Sequence, residues 1–296
     1  MELNKEKILK AGEIAAEAKK YARTIIKKDV LLVDIANKIE DKIEELGGKL
    51  AFPVNLSINE IAAHYTPSYD DKSIAHGLLK IDLGVHIDGW CADTAFSLDL
   101  ENNEENKKLI IAAEAAVHAG IDTIQENVGL NEVGIAIEKA LTDNDFNTIV
   151  NLSGHSIDHY DLHSGVTVPN LDNGDDDPVE KRLYAIEPFA TSGNGKVYDG
   201  PPSGIYQLVD EKNVRSPIAR EVLDYIKKEH STLPFCSRWI VKKFGSKALF
   251  GLKQLESNGN VHSFAQLIET SKNKVAQAEH SVLIEEDQII VTTSED

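Results

Sequence analysis

The chain has 296 residues, 42% of them hydrophobic and 27% charged, which suffices for one large globular domain and argues against disorder. Its formal net charge of -18 repels a phosphate backbone, so nucleic acid is not expected as the main partner. No apolar run approaches the roughly 18 residues needed to span a bilayer, no basic-then-apolar leader pattern opens the chain, and Cys91 and Cys236 are too few for a disulfide framework; a soluble cytoplasmic protein with no membrane partner is expected.

In chain order, residues 4–27 place Ile8, Ala11, Ile14, Ala15, Ala18, Ala22 and Ile25 at helical spacing, and 32–46 do the same with Val33, Ala36, Ile39 and Ile43. A second helix pair is expected at about 104–126 and 131–143, with Asn131 as N-cap of the latter. Val30, Ile35, Ile39 and Glu40 recur 98 residues later as Val128, Val133, Ile137 and Glu138, which suggests a duplicated half-domain. Between the pairs, residues 79–87 alternate apolar and polar, meet Asp88-Gly89, and resume at 90–98, the pattern of a hairpin. Further strands are expected at 145–151, 182–189, 203–209, 275–285 and 288–293, with an acidic loop at 170–178. Residues 216–271 read as a mainly helical insertion, strand chemistry resuming at Val275. The class is α+β, helices covering one face of a curved antiparallel sheet.

With a two-residue turn at Asp88-Gly89, Asp82 faces Ala95 and Asp93 lies diagonally across on the same face. Such diagonal neighbours are about 7–8 Å apart at Cα, close enough for two carboxylates to grip one site. One aspartate in a strand is ordinarily just solvated. Two on one face, with no basic neighbour in sequence, repel unless a cation lies between them. Three other segments offer partners: His155 after Gly154, Glu187 at the end of an apolar strand, and Glu279 inside another. Two Asp, two Glu and one His make a hard, oxygen-rich set without thiolate, suited to a pair of Mn, Fe, Co or Zn ions rather than a structural zinc. Four carboxylates balance two divalent cations, and paired metals about 3.5–4 Å apart can activate a shared water.

The sequence resembles the type II methionine aminopeptidases, of the creatinase-like pita-bread fold, over nearly its whole length. The resemblance rests on Ala51 to Glu60 running into Ala63-His64-Tyr65-Thr66-Pro67, on Lys80 to Gly89, on Asn151 to His155, on Ile186 to Ala190, and on Ala278-Glu279-His280. It implies one catalytic domain over 1–296, with a helical insertion at about 216–271 and two pseudo-symmetric helix pairs over a curved sheet. It implies that Asp82, Asp93, His155, Glu187 and Glu279 hold two divalent ions, Asp93 and Glu279 bridging. Glu187 is then the proton acceptor, His64 and His163 contact the scissile peptide, and Phe52 lines the methionine pocket. His159 is expected to be an ordinary loop residue, and Cys91 a small buried thiol. The implied reaction is removal of the initiator methionine from nascent polypeptides, with a small second residue, by a metal-bridging hydroxide. The implied setting is a cytoplasmic monomer with the ribosome as a further contact.

Two rivals are weighed. An X-Pro hydrolase of the same fold usually carries a separate amino-terminal domain, whereas here the first helix starts near residue 4. A non-catalytic binding protein of the fold is expected to have lost ligands and to carry basic tails; all five ligand positions are present and the chain ends in Thr293-Ser294-Glu295-Asp296.

Overall fold

Two helix pairs flank the sheets: α1 (Lys5–Ile25) with α2 (Leu32–Glu45), and α3 (Glu104–Thr123) with α4 (Leu130–Thr142). The computed structural model describes residues 3–174, 176–286 and 288–295; Asp175 of the expected acidic loop and Asp296 of the acidic end lie outside these. Asn4 caps α1 by accepting from Lys7 N at 3.1 Å, and Asn103 caps α3. Asn131 is not a cap: α4 starts one residue earlier from Gly129, and the Asn131 side chain instead accepts from Asn173 N and Gly174 N of the acidic loop.

The duplication suggested by the sequence extends to backbone conformation. Ile26 ends α1 at φ -77, ψ 121, and Ile124 ends α3 at φ -69, ψ 120. Asp29 and Asn127 both turn left-handed, at φ 69 and 66. In the first connection Asp29 N donates to Ala75 O and Ala75 N to Val30 O; in the second, Asn127 N donates to Val179 O and Val179 N to Val128 O. Each equivalent connection position lies 98 residues from its counterpart.

Under the first pair lies the sheet of β1 (Lys49–Ile58), β3 (Leu78–Ile87) and β4 (Trp90–Asp99), with β2 (Ile61–Ala63) leading away from it. Ile81, Leu83 and Val85 of β3 pack with Ile14, Ile35 and Ile39 of the helices. The second pair covers β5 (Asn147–Thr148), β6 (Gly154–Ile157), β7 (Thr167–Val168), β8 (Leu183–Ile186), β9 (Phe189–Thr191), β13 (Val275–Gln277), β14 (His280–Ile284) and β15 (Ile289–Val291). There Tyr184, Ile186 and Val282 meet Leu109, Val133 and Ile137. An antiparallel bridge between Ala95 and Glu279 joins the two halves edge to edge at one seam.

The third unit differs from expectation in one respect. α5 (Pro217–Glu229), α6 (Ser237–Phe244) and α7 (Ala248–Asn258) are helical, but Val261–Glu269 is a nine-residue strand, β12, rather than helix. It pairs with the long β10 (Val197–Leu208), which also pairs with β11 (Phe235–Cys236). His262, Phe264 and Gln266 alternate with Ser263, Ala265 and Leu267 without a clean apolar face, which is why periodicity alone hides the strand. The insertion is tied to α2 by Arg238, whose guanidinium grips both oxygens of buried Glu40 at 2.6 and 2.8 Å. Among the described residues no helix is long and apolar enough to cross a membrane.

Candidate metal centre

The hairpin forms in the expected register: Asp82 faces Ala95 and Asp93 faces Gly84, with positive φ at Asp88 and Gly89 in the turn. Asp82 and Gly84 therefore turn away from the helix core, Asp82 toward the seam. The Ala95–Glu279 bridge delivers Glu279 there from the second half, its backbone held by Ala95 and by Thr94 Oγ1, which donates to Glu279 O at 2.8 Å. Buried Lys19 donates to Thr94 Oγ1 at 3.1 Å from beneath. Asp93 is fixed by Ser281, which accepts from Asp93 N at 2.8 Å and donates to Asp93 O at 2.9 Å.

His155 enters on β6, paired with Ala185 of β8. The preceding Gly154 is required by a neighbouring backbone rather than by a ligand, since a Cβ there would lie 2.2 Å from Ala185 O. Ligand atoms of Asp93, His155 and Glu279 all lie within 4.8 Å of one another, and all three residues are buried. His155 Nε2 is 3.8 Å from Asp93 Oδ2 and 3.5 Å from Glu187 Oε1. Asp82 and Glu187 are joined by one side chain, the amide of Gln277, whose Nε2 lies 3.3 Å from Asp82 Oδ2 and 3.4 Å from Glu187 Oε2. Asn170 holds the Glu187 carbonyl at 2.9 Å.

The electrostatics of this group ask for a cation. Burial pushes the Asp82 carboxyl up to about 7. Burial first, and repulsion from the neighbouring carboxylates second, raise Asp93, Glu187 and Glu279 well above the ordinary range. Burial, then the adjacent His163 ring, hold His155 down to about 3, so its imidazole is neutral and cannot neutralise them. Asp82 Oδ1, Asp93 Oδ1 and Glu279 Oε2 are buried without a hydrogen-bond partner among the described residues. Orphaned carboxylate oxygens converging with a neutral imidazole fit one or more hard divalent ions.

Above the carboxylates opens a cavity of about 260 Å³, walled by Phe52, Leu162, Phe189, Phe264 and Leu267. His64 and His163 both line it, while His159 lies outside it, its ring tilted against Trp90 and its Nε2 2.8 Å from Asp88 O. His64 sits at a left-handed φ of 66 and meets Ala265 O through Nδ1 at 3.3 Å. Burial drops it to about 4, so it is neutral; with Nδ1–H donated to the carbonyl, Nε2 is left as an acceptor. Cys91 shares the face of Asp93 but is wholly buried, its thiol pushed up by burial and donating to Gly89 O. Gln277, Asn170 and Ser281 escape sequence reading; the one available signal was that Gln277 and Ser281 share the strand parity of Glu279, at two residues either side.

A methionine aminopeptidase of Thermococcus onnurineus is 43% identical over 294 residues, covering 98% of this chain and 99% of that protein. The methionine aminopeptidase structure from Thermotoga maritima superposes with a TM-score of 0.71 at 18% identity, covering 99% of this chain and 98% of that one. The structure of a thermophilic Arx1 superposes at 0.84 with 15% identity, over 97% of this chain and 89% of that one; these two likenesses concern the fold. With the model of metallopeptidase family M24 matching residues 6–286, the carboxylate-rich seam falls inside the matched segment, and the chain belongs to that family.

Proposed function

We propose that this protein is a methionyl aminopeptidase that removes the initiator methionine from nascent polypeptides when the second residue is small. The observation that carries this reading is the convergence of Asp82, Asp93, His155, Glu187 and Glu279 beneath one apolar-walled cavity. These five would hold two divalent ions, Co, Mn, Fe or Zn. Bound there, the pair polarises the scissile carbonyl and lowers the pKa of the attacking water.

The chain's own groups do the rest. Phe52, Leu162, Phe189 and Phe264 receive the unbranched methionine side chain. At about 260 Å³ the cavity has room for one methionine side chain. A Glu187 carboxylate oxygen takes a proton from water and passes it to the amide nitrogen as the C–N bond breaks. His163 donates N–H to the carbonyl oxygen as charge gathers there. His64, acceptor at Nε2, takes the N–H of the peptide beyond the scissile bond.

Residues 1–296 would act as one catalytic unit, monomeric and cytoplasmic, with the helical insertion at about 216–271 beside the cleft. Ribosome contact is supported by charge: between 210 and 258 basic residues outnumber acidic ones ten to six, against a chain at -18 overall. The test is release of methionine from Met-Gly-Met-Met after stripping metal and adding back Mn, Fe, Co or Zn singly. Release only with metal is expected. Cleavage only of X-Pro peptides, or none with any metal on folded protein, would overturn the reading.

A further inference from the structure

Gln277 is 1% exposed, and its amide reaches acids from both halves of the centre. Asp82 belongs to β3 beneath the first helix pair, Glu187 follows β8 beneath the second, and β13 delivers Gln277 between them. Its backbone is clamped on both sides: Gln277 N donates to Ser97 Oγ at 2.9 Å, and Ser97 Oγ donates to Gln277 O at 2.8 Å. Its neighbour across the ladder is Phe189, a cavity wall. The side chain therefore starts from a fixed point.

Ionised carboxylates only accept, so the amide nitrogen is the end that must face them, and its two hydrogens serve one carboxylate each. Each acid thereby has one oxygen tied and one free. For Asp82 the free atom is Oδ1, buried without a partner; for Glu187 it is Oε1, 3.5 Å from His155 Nε2. Without the amide, the two acids, which come from separate sheets, share no side-chain hydrogen-bond partner among the described residues.

We propose that Gln277 is a positioning residue for the metal centre: its amide spans Asp82 and Glu187 and presets the spacing of their free oxygens, so that affinity for divalent ions depends on it. The proposal rests on the metal-site reading given above. Outer-shell partners of this kind are worth about 10–100-fold in metal affinity. Gln277→Leu keeps the bulk and removes both donors. Gln277→Asn keeps the amide but is one methylene too short to reach both acids from the clamped backbone.

The experiment is calorimetric titration of Mn²⁺ into metal-stripped protein, wild type and both variants, with the melting temperature of each metal-free protein as control. The expected result is Mn²⁺ binding weakened about 10–100-fold in both variants, metal-free melting unchanged within a few degrees, and peptide cleavage restored when Mn²⁺ is raised by the same factor. If Gln277→Leu does not fold, Gln277→Asn carries the test alone. Wild-type affinity and stoichiometry in a folded variant would overturn the role of Gln277 while leaving the site standing. A wild-type protein that takes up no Mn²⁺ would overturn the metal-site reading itself.

Discussion

The ring of Phe52 lies over Gly84: a Cβ at residue 84 would stand 2.2 Å from Phe52 Cε1 and 2.5 Å from Cδ1. Gly84 faces Asp93 across the hairpin and follows Asp82 on the same side, so the absent side chain makes room for a cavity wall beside two acids. Gly84→Ala requires no left-handed backbone and acts chiefly by pushing the ring, with Ala51 Cβ next at 3.0 Å. We expect a cost of about 1–3 kcal/mol in stability and a roughly tenfold fall in kcat/KM for methionyl peptides. A peptide assay beside a thermal melt checks it. Unchanged kinetics would show that Phe52 does not shape the substrate pocket.

Asp93 holds a place that favours function over stability. It is buried among other carboxylates, with Oδ1 unpartnered and its acidity suppressed by burial and by Asp82. Asp93→Asn removes the acid, and with it the cost of burying it among other carboxyls, and keeps the shape. Metal-free protein should gain on the order of 1–3 kcal/mol while metal uptake and peptide cleavage are lost. Calorimetric melting in chelator checks the first half and Mn²⁺ titration the second; a variant less stable without metal would contradict the electrostatic account.

Much of this centre was legible in the sequence because its first half is local. An Asp-Gly turn between alternating segments fixes register, and register fixes which face Asp82 and Asp93 share. Legibility fails where the determinant is distant. β1 escaped because seven consecutive residues, Ala51 to Ser57, are buried, erasing alternation, and because its ladder with β3 is irregular around Pro53. The run expected at 145–151 pairs only at Asn147–Thr148, since Asn151 spends its amide clamping Val197 of β10. Gln277 matters only because two strands distant in sequence place Asp82 and Glu187 within its reach, and no spacing encodes that.

His64 and His163 should separate kinetically. With Nδ1 committed to Ala265 O, His64 offers an acceptor to a peptide N–H present in ground and transition states alike. His163, whose ring lies 4.1 Å from that of His155, serves charge that develops only during reaction. We expect His64→Ala to raise KM about tenfold and His163→Ala to lower kcat by about 10²-fold. Because His64 titrates at about 4, its ionisation should leave no inflection in kcat/KM above pH 5. Steady-state kinetics across pH 5–8 tests both statements.

Glu40 is the anchor of the insertion. It accepts from Arg238 at 2.6 and 2.8 Å, from Trp239 Nε1 at 2.9 Å and from Val54 N at 3.2 Å, all buried. Glu40→Gln leaves the guanidinium without a counter-charge and should cost about 3–5 kcal/mol, whereas replacing Glu40 and Arg238 together by apolar residues should cost clearly less. A double-mutant cycle by urea unfolding measures the coupling. A double-variant loss equal to the sum of the losses in the Glu40 and Arg238 single variants would show that the pair is not what joins the units.

Acid should loosen the same junction. His86 and His230 line one cavity of about 340 Å³ between α2 and the insertion, with His230 stacked on Phe235 and Trp239. Burial holds both at about 4; Lys49 adds to the effect on His86, and His86 and Lys49 to that on His230. The unfolded chain binds these protons near pH 6.5 and the folded chain only near 4, so the unfolded state gains protons first as pH falls. Stability is therefore whole above about pH 6.5 and is lost on the way to 4, on the order of 1–2 kcal/mol for each histidine by pH 5. His230→Phe keeps the stack and removes one titration. Urea unfolding at pH 7 and pH 5 should show a smaller acid loss in that variant than in the wild type, and an equal loss would locate the acid sensitivity elsewhere in the fold.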